Sequence, residues 1–382
     1  MRRKQIKDSW RDFEKTAILQ SINDMSFNDL SIVDGGLLDE VEDAFAGYFN
    51  KRYCVAFCNG TAAIHAAAYA ALDKEGSIIA PKYSYTGAIN ALLENNIQVY
   101  IHDINPETLL LDLSLVDFSA TKNLFLTSVW GASYDFKALK KHKVNYPESI
   151  IIMDNSHAYG TEWNDINIST FDFIDIACYS LGRRKFIDAG EFGIALTDNE
   201  AYAKRMVELA HPNRLSSSRL FEKRTLHNAI GNKYRPHIFA LLLAKIQLKY
   251  LNEKLSLNKS NCTLIENYLS EIEGIERQSI PKELSRSYWK IPLRINLNKL
   301  KQPMDSIVHA LEDAGIRVDN SFQYNDFENY ATWNHSRHRG YINLNGCPMH
   351  SLYSNWLLLP GYVDISKDDI EYIYDQFKRI LK

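Results

Sequence analysis

The chain has no excess of charge of either sign: 44 basic residues stand against 47 acidic ones, a net charge of −3. So even a balance cannot supply the one-signed field that a phosphate backbone demands, and nucleic acid is not an expected partner. Long apolar runs are missing too. The most apolar stretch, 238–248, is interrupted by Lys245 and is far shorter than the roughly 20 residues needed to span a bilayer, so no membrane partner is expected. The basic opening runs into Asp8, Arg11, Asp12 and Glu14 where a secretion signal would need an apolar segment, which points to a cytoplasmic protein. Cysteine is sparse. The five present, Cys54, Cys58, Cys178, Cys262 and Cys347, are odd in number and form no CxxC pair, which argues against a disulfide framework. Cys54, Cys58 and Cys178 lie in apolar runs and read as small buried hydrophobes. His335, His338, Cys347 and His350 have a metal-like spacing, but one thiolate in a His-rich stretch is a poor zinc set, and no metal is expected.

Low-complexity tracts and Pro/Gly-rich linkers are absent as well. What remains is a globular composition, 46% hydrophobic and 24% charged over 382 residues, long enough for two unequal domains. From about residue 50 to 200 a short apolar, β-branched run is followed repeatedly by a turn and a helix-like segment. That is α/β grammar. Strands are expected at 55–58, 77–80, 98–102, 124–129, 149–153, 174–179 and 193–197, several apolar throughout, as strands covered on both faces should be. The Ala-rich segment 61–72 directly follows Asn59 and Gly60, so its free N–H groups should face a strand end and form an anion site. Leu241, Ala244, Leu248, Leu251 and Leu255 recur at helical spacing and predict one long helix leaving the large domain near residue 245. A smaller domain should follow, with a strand at 291–295, a helix before Gly315 and a last helix at 368–381.

Asp154 ends one apolar run, which puts a carboxylate at a strand edge, where α/β sheets present ligands. Lys185 follows in the sequence Tyr179-Ser180-Leu181-Gly182-Arg183-Arg184-Lys185, and Gly190-Glu191-Phe192-Gly193 comes after it. A lysine amine, a carboxylate, phosphate donors at a helix N-terminus and an aromatic face are what binding pyridoxal 5'-phosphate (PLP) requires.

These residues resemble the DegT-type (StrS-like) sugar aminotransferase family. Its pattern, Ser-aromatic-x-x-x-Lys, four residues and Gly-Glu-Gly-Gly, is matched at Ser180, Lys185 and Gly190-Glu191, with Leu181 in the aromatic place and Phe192 in that of a Gly. The similarity extends along most of the chain. Asn59-Gly60-Thr61-Ala62-Ala63 resembles the family's phosphate turn, and Ser84-Tyr85 stands for its Thr-Phe. Val129-Trp130-Gly131 with Asp135, and Asp154 to Gly160, match two further segments.

The resemblance implies an aspartate-aminotransferase-like (fold type I) large domain of three layers with an N-terminal arm over 1–245, and a smaller α+β domain over 246–382. It implies that Lys185 carries PLP as a Schiff base, that Asp154 pairs with the pyridine nitrogen, and that His157 meets the phenolic oxygen. Tyr85 would stack on the ring, and Gly60, Thr61 and Ser180 would hold the phosphate. The family's Gly-x-Asn-x-Arg, which reaches into the neighbouring subunit's site, corresponds to Gly231-Asn232-Lys233-Tyr234-Arg235, so Lys233, or Asn232, would contact the partner's cofactor in a homodimer. Arg183, Arg184 and Glu191 are candidates for touching substrate, and Phe192 is expected to bear on substrate choice. The implied activity is amino transfer from glutamate or glutamine to a keto-sugar, nucleotide-linked, or to a cyclitol ketone. The pocket segment 320–341 carries no recognisable code for the acceptor. Two other readings stand beside it, a catalytically silent relative and a PLP-dependent sugar dehydratase. Relatives that dehydrate carry His in place of this Lys.

Overall fold

The computed structural model describes residues 12–24, 36–72, 76–211, 231–300, 302–320, 341–342 and 355–382, the pair 341–342 by its backbone. Strands run in chain order as β1 (Tyr53–Phe57), β2 (Ser77–Pro81), β3 (Gln98–His102), β4 (Leu124–Thr127) and β5 (Ile151–Asp154). There follow β6 (Glu162–Trp163), β7 (Ile166–Asn167), β8 (Ile176–Ser180), β9 (Gly193–Thr197), β10 (Ile275–Arg277), β11 (Leu284–Ser285) and β12 (Lys290–Ile295). The last two are β13 (Tyr341–Ile342) and β14 (Trp356–Pro360). Helices are α1 (Asp12–Asn23), α2 (Leu37–Tyr48), α3 (Gly60–Ala71), α4 (Thr86–Leu93), α5 (Phe136–Asn145) and α6 (Glu200–Ala210). After them come α7 (Ile238–Leu248), α8 (Leu251–Ser270), α9 (Leu297–Leu300), α10 (Met304–Asp313) and α11 (Lys367–Ile380).

Among the described residues the main sheet has eight strands in the order β1-β9-β8-β5-β4-β2-β3-β13. β9 runs antiparallel to both β1 and β8, and the other pairs are parallel. Side chains alternate between the faces, so neighbours on one strand enter different cores. Cys54 and Ala56 pack with α2, α5 and α7, whereas Val55 and Phe57 pack with α3, α4 and α6. The result is three layers, helix, sheet and helix, with strands apolar on both faces. A third core joins β12 and β14 to α10, α11 and the later part of α8. Helix α8 passes between cores, from Leu251 and Leu255 in the first to Cys262, Ile265 and Leu269 in the third. Among the described residues no helix is long and apolar enough to cross a membrane.

Several boundaries depart from the sequence reading. The long helix expected through Leu255 is broken at Lys249 and Tyr250 into α7 and α8. Lys249 and Tyr250 close tight turns onto Ile246 and Gln247, and the Tyr250 ring meets Phe13 of α1 edge-on at 4.6 Å. Strand β4 stops at Thr127 because Trp130 (φ 53°) and Gly131 (φ 99°) turn the chain. A Cβ on Gly131 would lie 1.6 Å from the Ser287 carbonyl oxygen, so only glycine fits there. Strand β5 begins at Ile151 and includes Asp154, which is its last residue and not the one after it.

Candidate functional site

Register brings the candidates together at one edge of the sheet. Thr127 of β4 lies beside Asp154 of β5, and Asp154 beside Cys178 of β8, so Ser180 ends that strand just beyond the carboxylate. The N-terminus of α3 abuts the same edge. Asn59 caps it, its side chain accepting from Ala62 N–H at 2.8 Å and its carbonyl from Ala63 N–H at 3.1 Å. The amides of Gly60 and Thr61, first in the helix, have no intrahelical acceptor. A Cβ on Gly60 would lie 2.6 Å from Ser180 Cβ, so glycine lets the helix end approach the Ser180 hydroxyl. Tyr85 is 63% exposed. Its ring covers Gly87, where a Cβ would be 2.5 Å from Tyr85 Cε1 and 3.1 Å from Thr61 Oγ1. Gly60, Thr61, Tyr85 and Ser180 thus form one open cradle.

Asp154 is buried, and burial raises its carboxyl against the opposing pull of the Ser156 hydrogen bonds and the Lys185 charge. Ser156 N–H donates to Asp154 Oδ1 at 3.0 Å, and Ser156 Oγ accepts from Ser180 N–H at 2.8 Å. Burial first, then the nearby Lys185 and Lys290, hold His157 well below the usual imidazole range and therefore neutral. Its Nδ1 accepts from Trp130 N–H at 3.5 Å, an assignment that leaves Nε2 as the N–H donor. Lys185 is half-buried. Desolvation lowers its amine to about 8, Lys290 adds to the fall, and Asp154 opposes it. Lysine, carboxylate and imidazole are thus within electrostatic reach of one another.

Strand β12 and its flank contribute residues the sequence reading missed. Trp289, immediately before β12, stacks on His157 with ring centroids 3.7 Å apart and planes 6° from parallel. Lys185 Nζ sits 4.4 Å from the Trp289 ring centre. A cavity of about 200 Å3 opens beside Lys185 between its loop and β12–β14, with Arg184, Lys290, Arg317 and Asp319 in its walls. Nothing local signals Trp289, Lys290, Arg317 or Asp319, which lie more than a hundred residues from Lys185 along the chain.

Other candidates fall elsewhere. Arg184 lines the cavity, but Arg183 and Glu191 are exposed and outside its walls. Asn232 and Lys233 are exposed, on a backbone tied to Leu209 through Asn232 N–H (2.6 Å) and to β1 through Cys58 N–H on the Tyr234 carbonyl (2.7 Å). Phe192 corrects the expectation that it bears on substrate choice: it is fully buried, 6.4 Å edge-on from Phe45, because the residue before β9 points into the core. His335, His338, Cys347, His350 and most of the segment 320–341 lie outside the described residues.

Known proteins share this fold. A GDP-4-keto-6-deoxymannose-3-dehydratase solved with a trapped PLP–glutamate geminal diamine superposes with a TM-score of 0.83 at 21% identity, over 98% of this chain and 99% of that one. An aminotransferase from Psychrobacter cryohalolentis gives 0.84 at 17%, over 98% and 97%. The fold is therefore the aspartate-aminotransferase-like fold. By sequence, the L-glutamine:2-deoxy-scyllo-inosose aminotransferase of Streptoalloteichus tenebrarius is 26% identical over 255 residues, which cover 64% of this chain and 59% of that relative. The GDP-perosamine synthase of Vibrio cholerae is 24% identical over 293 residues, 74% of this chain and 75% of the relative. A single family model runs from residue 13 to residue 378 and takes in the cradle, the carboxylate, the lysine and strand β12 alike, so the chain belongs to the DegT/DnrJ/EryC1/StrS aminotransferase family.

Proposed function

We propose that this chain is a PLP-dependent aminotransferase that moves an amino group from glutamate or glutamine to a keto-sugar, nucleotide-linked, or to a cyclitol ketone. The observation that carries the reading is the amine of Lys185: it lies 4.4 Å from the Trp289 ring that stacks on His157, and burial, against the pull of Asp154, lowers it to about 8. The residues fit the cofactor. A buried carboxyl raised by desolvation is suited to a cationic ring nitrogen, and a helix end with open amides beside a hydroxyl is suited to a phosphate. Bound there, PLP supplies a carbon that takes up the amine and a protonated ring that draws electron density from the reacting carbon.

The remaining work falls to side chains. Lys185 Nζ, its amine lowered to about 8, would in its unprotonated form take the proton from the donor's α-carbon and return it on the cofactor side. Asp154, ionised, would pair with the ring nitrogen and keep it protonated. His157, neutral, would donate from Nε2 to the ring oxygen. Gly60 and Thr61 amides with Ser180 Oγ would hold the phosphate, and Tyr85 would offer its face to the ring. Lys185 favours amino transfer over dehydration, since an amine is the group that both carries the cofactor and shuttles the proton.

In this reading the active unit is a homodimer, and Lys233 or Asn232 reaches the partner's cofactor. Their exposure on an anchored backbone supports that role. The test is direct. With PLP bound, glutamate or glutamine should bleach the visible absorption of the protein, and a panel of keto-sugars and cyclitol ketones should restore it. No bleaching by either donor would overturn the proposal.

A further inference from the structure

Trp289 is held more firmly than a wall residue needs to be. Ser287 N–H donates to Thr161 Oγ1 at 3.3 Å, Tyr288 N–H to Asn258 Oδ1 at 2.7 Å, and Gly361 N–H to the Trp289 carbonyl at 3.2 Å. Two glycines let the strand come in: a Cβ on Gly131 would be 1.6 Å from the Ser287 carbonyl oxygen and one on Gly361 1.8 Å from that of Tyr288. The indole is fixed at its other end as well. Its Nε1–H donates to the Arg184 carbonyl at 2.9 Å, and Arg184 is held at φ 70°, its own N–H on Asp188 Oδ2 at 3.1 Å. A non-glycine residue in the left-handed region costs energy that the surroundings must offset. Here the contacts that impose it also lock the lysine loop to the indole.

We infer that Trp289 is a positioning residue for Lys185: its face holds the ammonium that Lys185 becomes on taking up the substrate proton, while its stack on His157 keeps the imidazole in place. The inference rests on Lys185 being the reacting amine. Around that amine, Asp154 at the end of β5 favours the charged form and Lys290 on β12, paired with Asp319, disfavours it. Asp188 lies on its own loop, His157 is neutral, and Glu14 is paired with Lys254 across the cavity. Once Asp154 is engaged with a cationic ring nitrogen, its help to the ammonium is shared. The aromatic face, which Lys290 Nζ also approaches at 5.2 Å from the ring centre, is then the stabiliser that stays with Lys185, acting through the ring quadrupole.

The experiment separates an aromatic face from mere bulk. In the full chain before PLP is added, the rate of trace acetylation of Lys185, read by peptide mapping from pH 6 to 10, reports how readily the amine sheds its proton. Trp289→Leu keeps an apolar side chain but loses the quadrupole, so Lys185 should become easier to deprotonate and label at pH 7 on the order of threefold or more faster. Trp289→Phe should keep the parent profile. With PLP bound, the Leu variant should lose rate in the glutamate half-reaction with little change in KM, and Phe should restore it. Trp289→Met takes the place of Leu if that variant does not fold. Equal labelling of Lys185 in the parent, Phe and aliphatic chains would overturn the role of Trp289. Failure of borohydride to fix PLP on Lys185 in the parent would instead overturn the functional reading beneath it.

Discussion

Asp154 and Lys185 stabilise each other's charge against a burial that disfavours both: the carboxylate holds the amine up, and the amine holds the carboxyl down. Replacing Asp154 with Asn removes one side of that balance. The amine of Lys185 is then expected to fall below about 8, since desolvation and Lys290 remain while their opponent is gone. Amino transfer should drop by orders of magnitude because an amide cannot keep the ring nitrogen protonated. Lys185 labelling against pH and the glutamate half-reaction check the two effects separately, and near-parent turnover would contradict the role.

Lys185 should also weaken the fold it serves. Its amine lies at about 8 in the folded chain against an ordinary value of 10.5. Between those values the unfolded chain binds a proton that the folded chain lacks, so stability declines as pH drops from 10.5 toward 8 and levels off below. Lys185→Met in the chain without PLP is therefore expected to be more stable at pH 7, by about 1 to 3 kcal/mol after allowing for partial exposure. Thermal unfolding of parent and variant at pH 7 and pH 10.5 measures it, and the gain should shrink at the higher pH.

The phosphate cradle gives a graded pair. Ser180→Ala removes one donor and should weaken PLP retention by about 1 to 3 kcal/mol, roughly 5- to 150-fold in Kd. Gly60→Ala puts a methyl group 2.6 Å from Ser180 Cβ, so it must displace the helix end and should cost more than the Ser180 change. Equilibrium dialysis against PLP ranks them.

Much of this was legible in the sequence. Strands β3 and β9 fall at their expected residues, and β5 is offset by two residues at its start and one at its end, because apolar β-branched runs between turn residues leave little choice of register. Asp154 ends β5 and Gly60–Thr61 open α3, ends that local pattern marks, whereas Lys185 lies in the loop after β8 and was found through its motif. The break between α7 and α8 was hidden because the leucine period continues through Leu248, Leu251 and Leu255. What ends the helix is the packing of Tyr250 on α1, which no local window contains. Trp289 was invisible for the same reason. Its meaning comes from His157 and Lys185, contacts across more than a hundred residues. Phe192 was misjudged because its motif position suggested the site while its side chain points to the core.

Behind Trp289 lies a buried ion pair between Arg286 and Glu266, whose side chains are 2% and 7% exposed. Glu266 also accepts from the Tyr288 hydroxyl at 2.9 Å. Glu266→Ala would strand a buried guanidinium and is expected to cost about 3 to 5 kcal/mol of stability. It should also loosen the segment that presents Trp289. Urea unfolding gives the first quantity, and indole fluorescence of the native state reports the second.

The central claim, that Lys185 is the amine that carries the cofactor, is tested most directly by borohydride reduction of the PLP-loaded protein followed by peptide mapping. A single reduced adduct on Lys185 is expected, with loss of the yellow colour and no label in Lys185→Ala. An adduct on Lys82, Lys233 or any other lysine, or no adduct at all, would contradict it.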